Sequence, residues 1–318
     1  MKKIVLIKQI DNIQAGHLYE HIFCMQLAEF FRAKGLYSYL DYDIDAKTFY
    51  SGYVKLEVSL FSKAALRLEK LIPTLSFAID EDTIDGAVLQ VMAEKSVDMI
   101  VNEYAALEGL LNEYAHKSWV YLDSVKLVPH IDVKDDDILE LIPRSPRQFL
   151  VLKQVITMDA AAYQSHSKDA LNPLFVVISQ AILQNLQQII ADTAYCYSYE
   201  DFMTRTAKNI KNTNLYRIDK RQNTKLTIEK EYTEAFIKEF IEQGFVEKLE
   251  TYFKKVTHSN NALVPNDDYV TESTGVLVGA KGWRTIGTQA AIRHVLRHTT
   301  IDFNLGQTRQ SVSLADYL

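Results

Sequence analysis

The sequence is poor in cysteine, proline and glycine. Its 318 residues contain 2 cysteines, 6 prolines and 11 glycines. Cys24 and Cys196 are too few for a disulfide framework and lack the spacing of a structural zinc knot, so we expect a reducing compartment. The low proline and glycine content excludes collagen-like and low-complexity chains. These absences leave an ordinary globular protein.

Long apolar runs and a dominant charge are also lacking. The longest apolar stretch, near 174–178, is broken by Ser179 and Gln180 and falls short of the roughly 20 residues that a membrane helix needs. The run at 4–7 is too short for a signal peptide, so we expect a cytoplasmic protein without a membrane partner. A balance of 35 Lys and Arg against 41 Asp and Glu gives a net charge of −6, which disfavours a nucleic-acid partner.

The residues that are present suit a folded core. Hydrophobic residues make up 47% of the chain and charged residues 24%, as in globular proteins of one large or two medium domains. Residues 134–147 combine a run of aspartates with Pro143 and Pro146, which is typical of a linker. We therefore predict two domains, 1–143 and 148–318. Both have an α+β pattern that begins with a strand, which favours two related halves with helices packed on one face of a mixed or antiparallel sheet.

The alternation of apolar and polar residues predicts the order of the elements. Asp11 or Asn12 can cap a helix that runs from Ile13 to Lys34 and ends at Gly35. Period-2 stretches predict strands, and longer apolar periodicity predicts further helices. The predicted strands lie at 3–9, 38–61 (two strands), 118–133, 148–158, 193–218 and 274–279, and the further helices at 62–72, 80–115, 168–191, 229–255 and 285–298.

The first predicted helix contains His17-Leu18-Tyr19-Glu20-His21, an H-x-x-E-H pattern. Histidines at i and i+4 lie one turn apart on one helix face, so both imidazoles can reach one metal ion. Glu20, beside the second histidine, can take a proton from water near the metal. The pattern inverts H-E-x-x-H and predicts a catalytic zinc site. The alternative is a solvated surface helix, which the many apolar residues of the segment disfavour because buried polar groups need partners.

This helix resembles the metal-binding helix of the M16, pitrilysin-type, zinc peptidases. The tyrosine-rich stretch DIDAKTFYSGYVKLEVSLF that follows it, and an acid-bearing helix farther along the chain, resemble the same family. The resemblance implies the architecture shared by mitochondrial processing peptidases and S-ribosylhomocysteine lyases. It also implies a Zn²⁺ ion held by His17, His21 and a glutamate of the second helix.

The third zinc ligand is predicted from the same resemblance. In the family it closes a segment like E-R-D-V-I-L-R-E, and the best match here is 96–103, SVDMIVNE. Glu103 is therefore the predicted ligand, although Ser96 replaces the first glutamate of the family segment. Glu94, which is followed by Lys95 as in the E-R pair, is the alternative ligand.

The resemblance continues into the second half. There the family has an arginine and a tyrosine, in a segment like R-E-K-G-G-L-A-Y, that reach the substrate. Residues 188–195, QIIADTAY, match its end at Ala194 and Tyr195, which implies that Tyr195 donates a hydrogen bond to a developing oxyanion. Gln188 stands at the arginine position, a change that favours a weaker substrate clamp or altered activity.

The function implied is that of a zinc metalloendopeptidase. Its substrates would be peptides that add a strand to the edge of the sheet, with Glu20 as the base. The alternative is a weakly active or inactive peptide-binding subunit that works with a homo- or hetero-dimer partner of the same family, which Gln188 favours. A third possibility is a lyase like the S-ribosylhomocysteine lyases, but these use a downstream cysteine ligand, and Cys196 has no matching motif.

A second histidine pair has the same spacing. His294 and His298 lie in the stretch RHVLRH. Arg293 and Arg297 beside them would repel a cation, and no acid lies near in the sequence. The sequence therefore predicts a basic helix face at this pair.

Overall fold

Each of the two units of the chain is organised by an antiparallel sheet. The structure is a computed structural model that describes residues 1–95, 97–122, 131, 133–134, 138–142, 149–164, 166–194, 196–206, 208–219, 237–255, 270, 273–276, 278, 280–305 and 308–318. The first unit comprises Met1–Gln148 with Gln188–Tyr197, and the second comprises Phe149–Gln187 with Ser198–Leu318. The combination of antiparallel sheets and helices confirms the predicted α+β class.

The first unit alternates strands and helices. In chain order its elements are β1 (Lys2–Gln9), α1 (Ile13–Arg32), β2 (Tyr42–Phe49), β3 (Tyr53–Leu60), α2 (Lys63–Leu66), α3 (Glu81–Lys95), β4 (Asp98–Val101), α4 (Tyr104–His116), β5 (Val120–Tyr121) and β6 (Leu139–Ile142). The main sheet has the strand order β2-β3-β1-β5, with antiparallel neighbours. The strands predicted at 3–9 and 38–61 are thus confirmed, and β2 forms one edge of the sheet.

Helix α1 packs against the sheet and carries the H-x-x-E-H pattern. Asn12 caps it by accepting a hydrogen bond from the Ala15 N–H at 2.9 Å, and Gly35 follows its end with a φ of +66°. A Cβ on Gly16 would clash with the side chain of Ile10, so a larger residue where the helix passes the end of β1 would require Ile10 to move. The predicted helix is confirmed. Its buried apolar face consists of Leu18, Ile22, Phe23, Leu27 and Phe31.

The single helix predicted at 80–115 is wrong. The structure has two helices there, α3 and α4, separated by the strand β4. Strand β4 pairs antiparallel with β6, which lies farther along the chain. A local sequence pattern could not predict β4, because it does not reveal this pairing partner. The break places Glu94 at the end of α3 and Glu103 immediately before α4.

A buried lysine fastens β1 to α1 and to the end of α4. Lys8 is 1% exposed, and its Nζ donates to Tyr19 Oη at 2.8 Å and to the carbonyl oxygens of Tyr114 and Lys117 at 2.5 and 2.6 Å. Burial lowers the pKa of Lys8 to about 7. Because the last carbonyls of a helix lack partners within it, the lysine caps α4. The hydrogen bond from Lys8 to Tyr19 also holds α1 in place, at the turn of the helix that carries His17 and His21.

The second unit is built on a five-stranded sheet. Its strands are β7 (Phe149–Asp159), β8 (Cys196–Arg205), β9 (Asn209–Asp219), β10 (Thr299–Leu305) and β11 (Thr308–Ser313), in the order β11-β10-β7-β9-β8. The described helices include α5 (Lys168–Ala194), whose last residues belong to the first unit, and Phe245–Lys255, Ala280–Ile286 and Gln289–Arg297. The strands predicted at 148–158 and 193–218 and the helix at 168–191 are confirmed. The sequence did not predict the hairpin of β10 and β11.

The strand predicted at 274–279 is wrong over the residues that the structure describes. Of 274–279, the structure describes 274–276 and 278, and none of these residues is in a strand. Short β-branched runs cannot be assigned by their pattern alone, because the strand pairing decides. Among the described helices, none combines the length and the apolar character needed to cross a membrane.

Candidate metal centre

Helix α1 places His17 and His21 side by side, as their spacing requires. Their Nε2 atoms are 3.2 Å apart, and the two ring centroids are 4.8 Å apart. The side chains are 16% and 14% exposed, and His17 lines a cleft. Two imidazole nitrogens facing each other at this distance need a proton or a cation between them.

Glu94 on α3 completes a group of three ligand atoms. Its Oε2 lies 3.4 Å from His17 Nε2 and 3.3 Å from His21 Nε2. Zinc ligands about 2.0–2.1 Å from the ion at the corners of a tetrahedron are roughly 3.3–3.4 Å from one another. The donor set and its spacing therefore fit a Zn²⁺ ion, with two nitrogens and one carboxylate oxygen. Among the described residues this is the one group of three or more metal-type side chains whose ligand atoms converge.

The charge state of Glu94 suits a ligand. Hydrogen bonds with the rings of His17 and His21 hold the pKa of the Glu94 carboxyl well below its usual range. The carboxylate is therefore ionised near neutral pH. Its side chain is 34% exposed, so an ion can reach the group from solvent.

A glutamine supports the site from behind. Gln90 Oε1 lies 3.1 Å from Nδ1 of His21, the ring nitrogen that points away from Glu94. Gln90 precedes Glu94 by one helical turn, so the same face of α3 supplies both side chains. Gln90 was not predicted from the sequence, although its i, i+4 spacing from Glu94 was a usable signal.

Glu20 lines a cleft of about 710 Å³ together with two of the three ligand residues. His17, Glu94 and Thr48 line the same cleft, and the Thr48 hydroxyl donates a hydrogen bond to Glu20 Oε2. Glu20 is not among the three converging ligand atoms. Its carboxylate is therefore available as an acid or base rather than as a ligand. Thr48 comes from β2, and no pattern in the sequence pointed to it.

The predicted third ligand, Glu103, is not in this group. Glu103 is exposed and immediately precedes α4. Strand β4 separates it from Glu94 along the chain. The structure brings the alternative ligand, Glu94, to the histidines instead, because α3 ends before β4. Tyr195 lies outside the described residues, and its assigned role stays a prediction.

The second histidine pair is arranged differently from the first. His294 Nε2 lies 2.8 Å from the carbonyl oxygen of Ala162, and His298 Nδ1 lies 2.9 Å from the carbonyl oxygen of His294. The ring of His166 lies beside that of His294, tilted by 35° with centroids 4.2 Å apart. These three histidines do not form a group of converging ligand atoms in the described part of the chain.

No family model matches the sequence, and no curated protein matches it. A search of solved structures finds a protease from Helicobacter pylori, with 11% identity, a TM-score of 0.27, and 95% of this chain and 93% of that one covered. It also finds the periplasmic protease PqqL from Escherichia coli, with 12% identity, a TM-score of 0.22 and coverage of 90% and 41%. Pitrilysin follows with 11% identity, a TM-score of 0.23 and coverage of 99% and 45%. The chain thus spans less than half the length of the last two, and scores this low establish neither a family nor an activity.

Proposed function

We propose that this chain is a zinc-dependent peptidase whose metal is held by His17, His21 and Glu94. The observation that carries the proposal is the mutual spacing of the three ligand atoms, 3.2, 3.3 and 3.4 Å. Structural zinc sites are closed by four protein ligands, whereas catalytic sites keep a position open. With three ligands beside a cleft, the group has the composition of a catalytic site.

The roles of the surrounding side chains follow from their chemistry. Zinc held by His17, His21 and Glu94 would supply a Lewis acid that makes water nucleophilic near neutral pH. Glu20, in the same cleft but outside the ligand group, would accept a proton from the attacking water and donate it to the leaving amine. The hydroxyl of Thr48 holds one oxygen of Glu20, which leaves the other oxygen to exchange the proton.

An extended peptide suits the shape of the cleft. Strand β2 is the edge of its sheet in the described part of the chain, and Ala46, Lys47 and Thr48 of this strand line the cleft. An edge strand offers unpaired N–H and C=O groups to which a peptide backbone can bind. We therefore propose unfolded or short peptides as the substrates.

The decisive experiment replaces Glu20 with glutamine in the zinc-loaded protein. Glu20→Gln should keep stoichiometric zinc and lower the cleavage rate by about 10²- to 10⁴-fold, because the general base is lost. Metal analysis and cleavage of a mixture of fluorescence-quenched peptides measure the two effects. The control is Glu29→Gln on the same helix, which removes only an ion pair with Arg32. Cleavage by Glu20→Gln at the wild-type rate would contradict the role of the base.

A second candidate function is that of a peptide-binding partner subunit. It is favoured by Gln188, which stands where the M16 pattern has an arginine that reaches the substrate. Purified chain that carries stoichiometric zinc and binds peptides without cleaving them would support it. Cleavage by the isolated chain that depends on Glu20 would exclude it.

A further inference from the structure

His21 has two ring nitrogens with different surroundings. Nε2 faces His17 and Glu94, while Nδ1 faces the side-chain oxygen of Gln90 at 3.1 Å. A neutral imidazole donates through one nitrogen and accepts through the other. Which nitrogen carries the proton decides whether Nε2 presents a lone pair to a metal ion.

The orientation of the Gln90 amide settles this question. Gln90 Nε2 lies 2.8 Å from Met25 Sδ. A thioether sulfur only accepts hydrogen bonds, so the NH₂ group of the amide is the one that faces it. The carbonyl oxygen must then face His21, and Nδ1 of His21 must be the donor.

The amide is held in this orientation by its surroundings. Gln90 is 6% exposed, and it lies on α3 where this helix packs against α1. Burial deprives the amide of competing water, and a flipped amide would turn its carbonyl oxygen toward the thioether sulfur of Met25, which cannot donate. Met25 and His21 are one turn apart on α1, so the helix fixes both partners of the amide at once.

We infer that Gln90, oriented by Met25, is a positioning residue that keeps His21 in its Nδ1–H tautomer and thereby sets the zinc affinity of the site. The inference rests on the metal site proposed above. A carbonyl behind a metal-binding histidine fixes the ring and raises the basicity of the ligand nitrogen. The same contacts make Met25 an indirect contributor, since its sulfur selects the orientation of the amide.

The test measures zinc dissociation constants by competition with a chromophoric chelator. Gln90→Met, which keeps volume but removes the acceptor, should weaken zinc binding about 10- to 100-fold. Gln90→Glu keeps an acceptor for Nδ1–H and should restore affinity to within about threefold of wild type or better. Met25→Leu should weaken binding by less than Gln90→Met does. The matched control is Gln26→Met, because Gln26 lies on α1 and donates only to the carbonyl of Ala78.

A second readout separates positioning from general stability. Two-bond ¹H–¹⁵N spectra of histidine-labelled, metal-free protein, recorded at alkaline pH so that the imidazoles are neutral, should show Nδ1 of His21 protonated in wild type and in Gln26→Met. In Gln90→Met the signals should shift toward a mixture of tautomers, while circular dichroism stays that of wild type.

The outcomes distinguish the inference from the function on which it rests. Wild-type zinc affinity in Gln90→Met would overturn the inference and leave the three-ligand site standing. Equal losses in Gln90→Met and Gln90→Glu would also overturn it, because the acceptor would then be irrelevant. Failure of the wild-type protein to bind zinc would overturn both the inference and the proposed function.

Discussion

His17 and His21 in the first unit and His294 and His298 in the second have the same spacing on a helix. In the first pair the Nε2 atoms face each other and a carboxylate within 3.2–3.4 Å. In the second pair one nitrogen of each ring is taken by a backbone carbonyl, at 2.8 and 2.9 Å. Both pairs are half-buried, so exposure does not separate them.

The comparison shows what the i, i+4 spacing does and does not decide. The spacing puts two imidazoles on one helix face in both units. A ligand group forms only where a second helix brings an acid whose oxygen meets both rings, as α3 does with Glu94. In the second pair, His294 contacts the carbonyl oxygen of Ala162, which is distant in the sequence, and His298 contacts the carbonyl oxygen of His294 on its own helix.

The largest expected difference between the pairs is in metal content. His17→Ala or His21→Ala should abolish stoichiometric zinc, because two protein ligands do not hold the ion tightly. His294→Ala combined with His298→Ala should bind zinc as wild type does, since neither nitrogen belongs to the ligand group. Metal analysis after gel filtration in zinc-free buffer measures both. Loss of zinc in the double variant would show that the pairs are equivalent.

Glu94 and Glu103 provide the next test, because only one of them faces a histidine pair. Glu94→Gln should weaken zinc binding by more than about 100-fold, because a neutral amide replaces an anionic ligand. Loss of a residue that only supports a ligand costs at most roughly 100-fold. Glu103→Gln serves as the matched control and should leave the affinity unchanged. Chelator competition gives both dissociation constants. The reverse result would return Glu103 to the ligand set and reject Glu94.

The smallest expected effect is on stability. Zinc at a free concentration of 100 times its dissociation constant should raise the free energy of unfolding by about 2.7 kcal/mol, because only the folded site binds it. Urea titrations with and without zinc should show this increase in wild type and in His294→Ala, and not in His17→Ala. An increase in His17→Ala would locate the stabilising ion elsewhere.

Much of the first unit could be predicted from local sequence. Helix α1 has a capping Asn12, a glycine at its end and apolar residues at helical spacing, and each of these acts within a few residues. Strand β3 alternates in burial along its whole length, so its pattern was sufficient. The boundaries of α3 and α4 could not be predicted in this way, because the strand between them exists through its pairing with β6.

The residues of the candidate site also fall into those set by the local sequence and those set by tertiary contacts. The sequence by itself determined the histidine pair and the neighbouring Glu20, since a helix of 3.6 residues per turn places them without help from the rest of the chain. The choice between Glu94 and Glu103, the role of Gln90 and the contact of Thr48 with Glu20 were decided only by the tertiary structure. Each of these joins side chains from different elements, and the packing of α3 and β2 against α1 determines which of them meet.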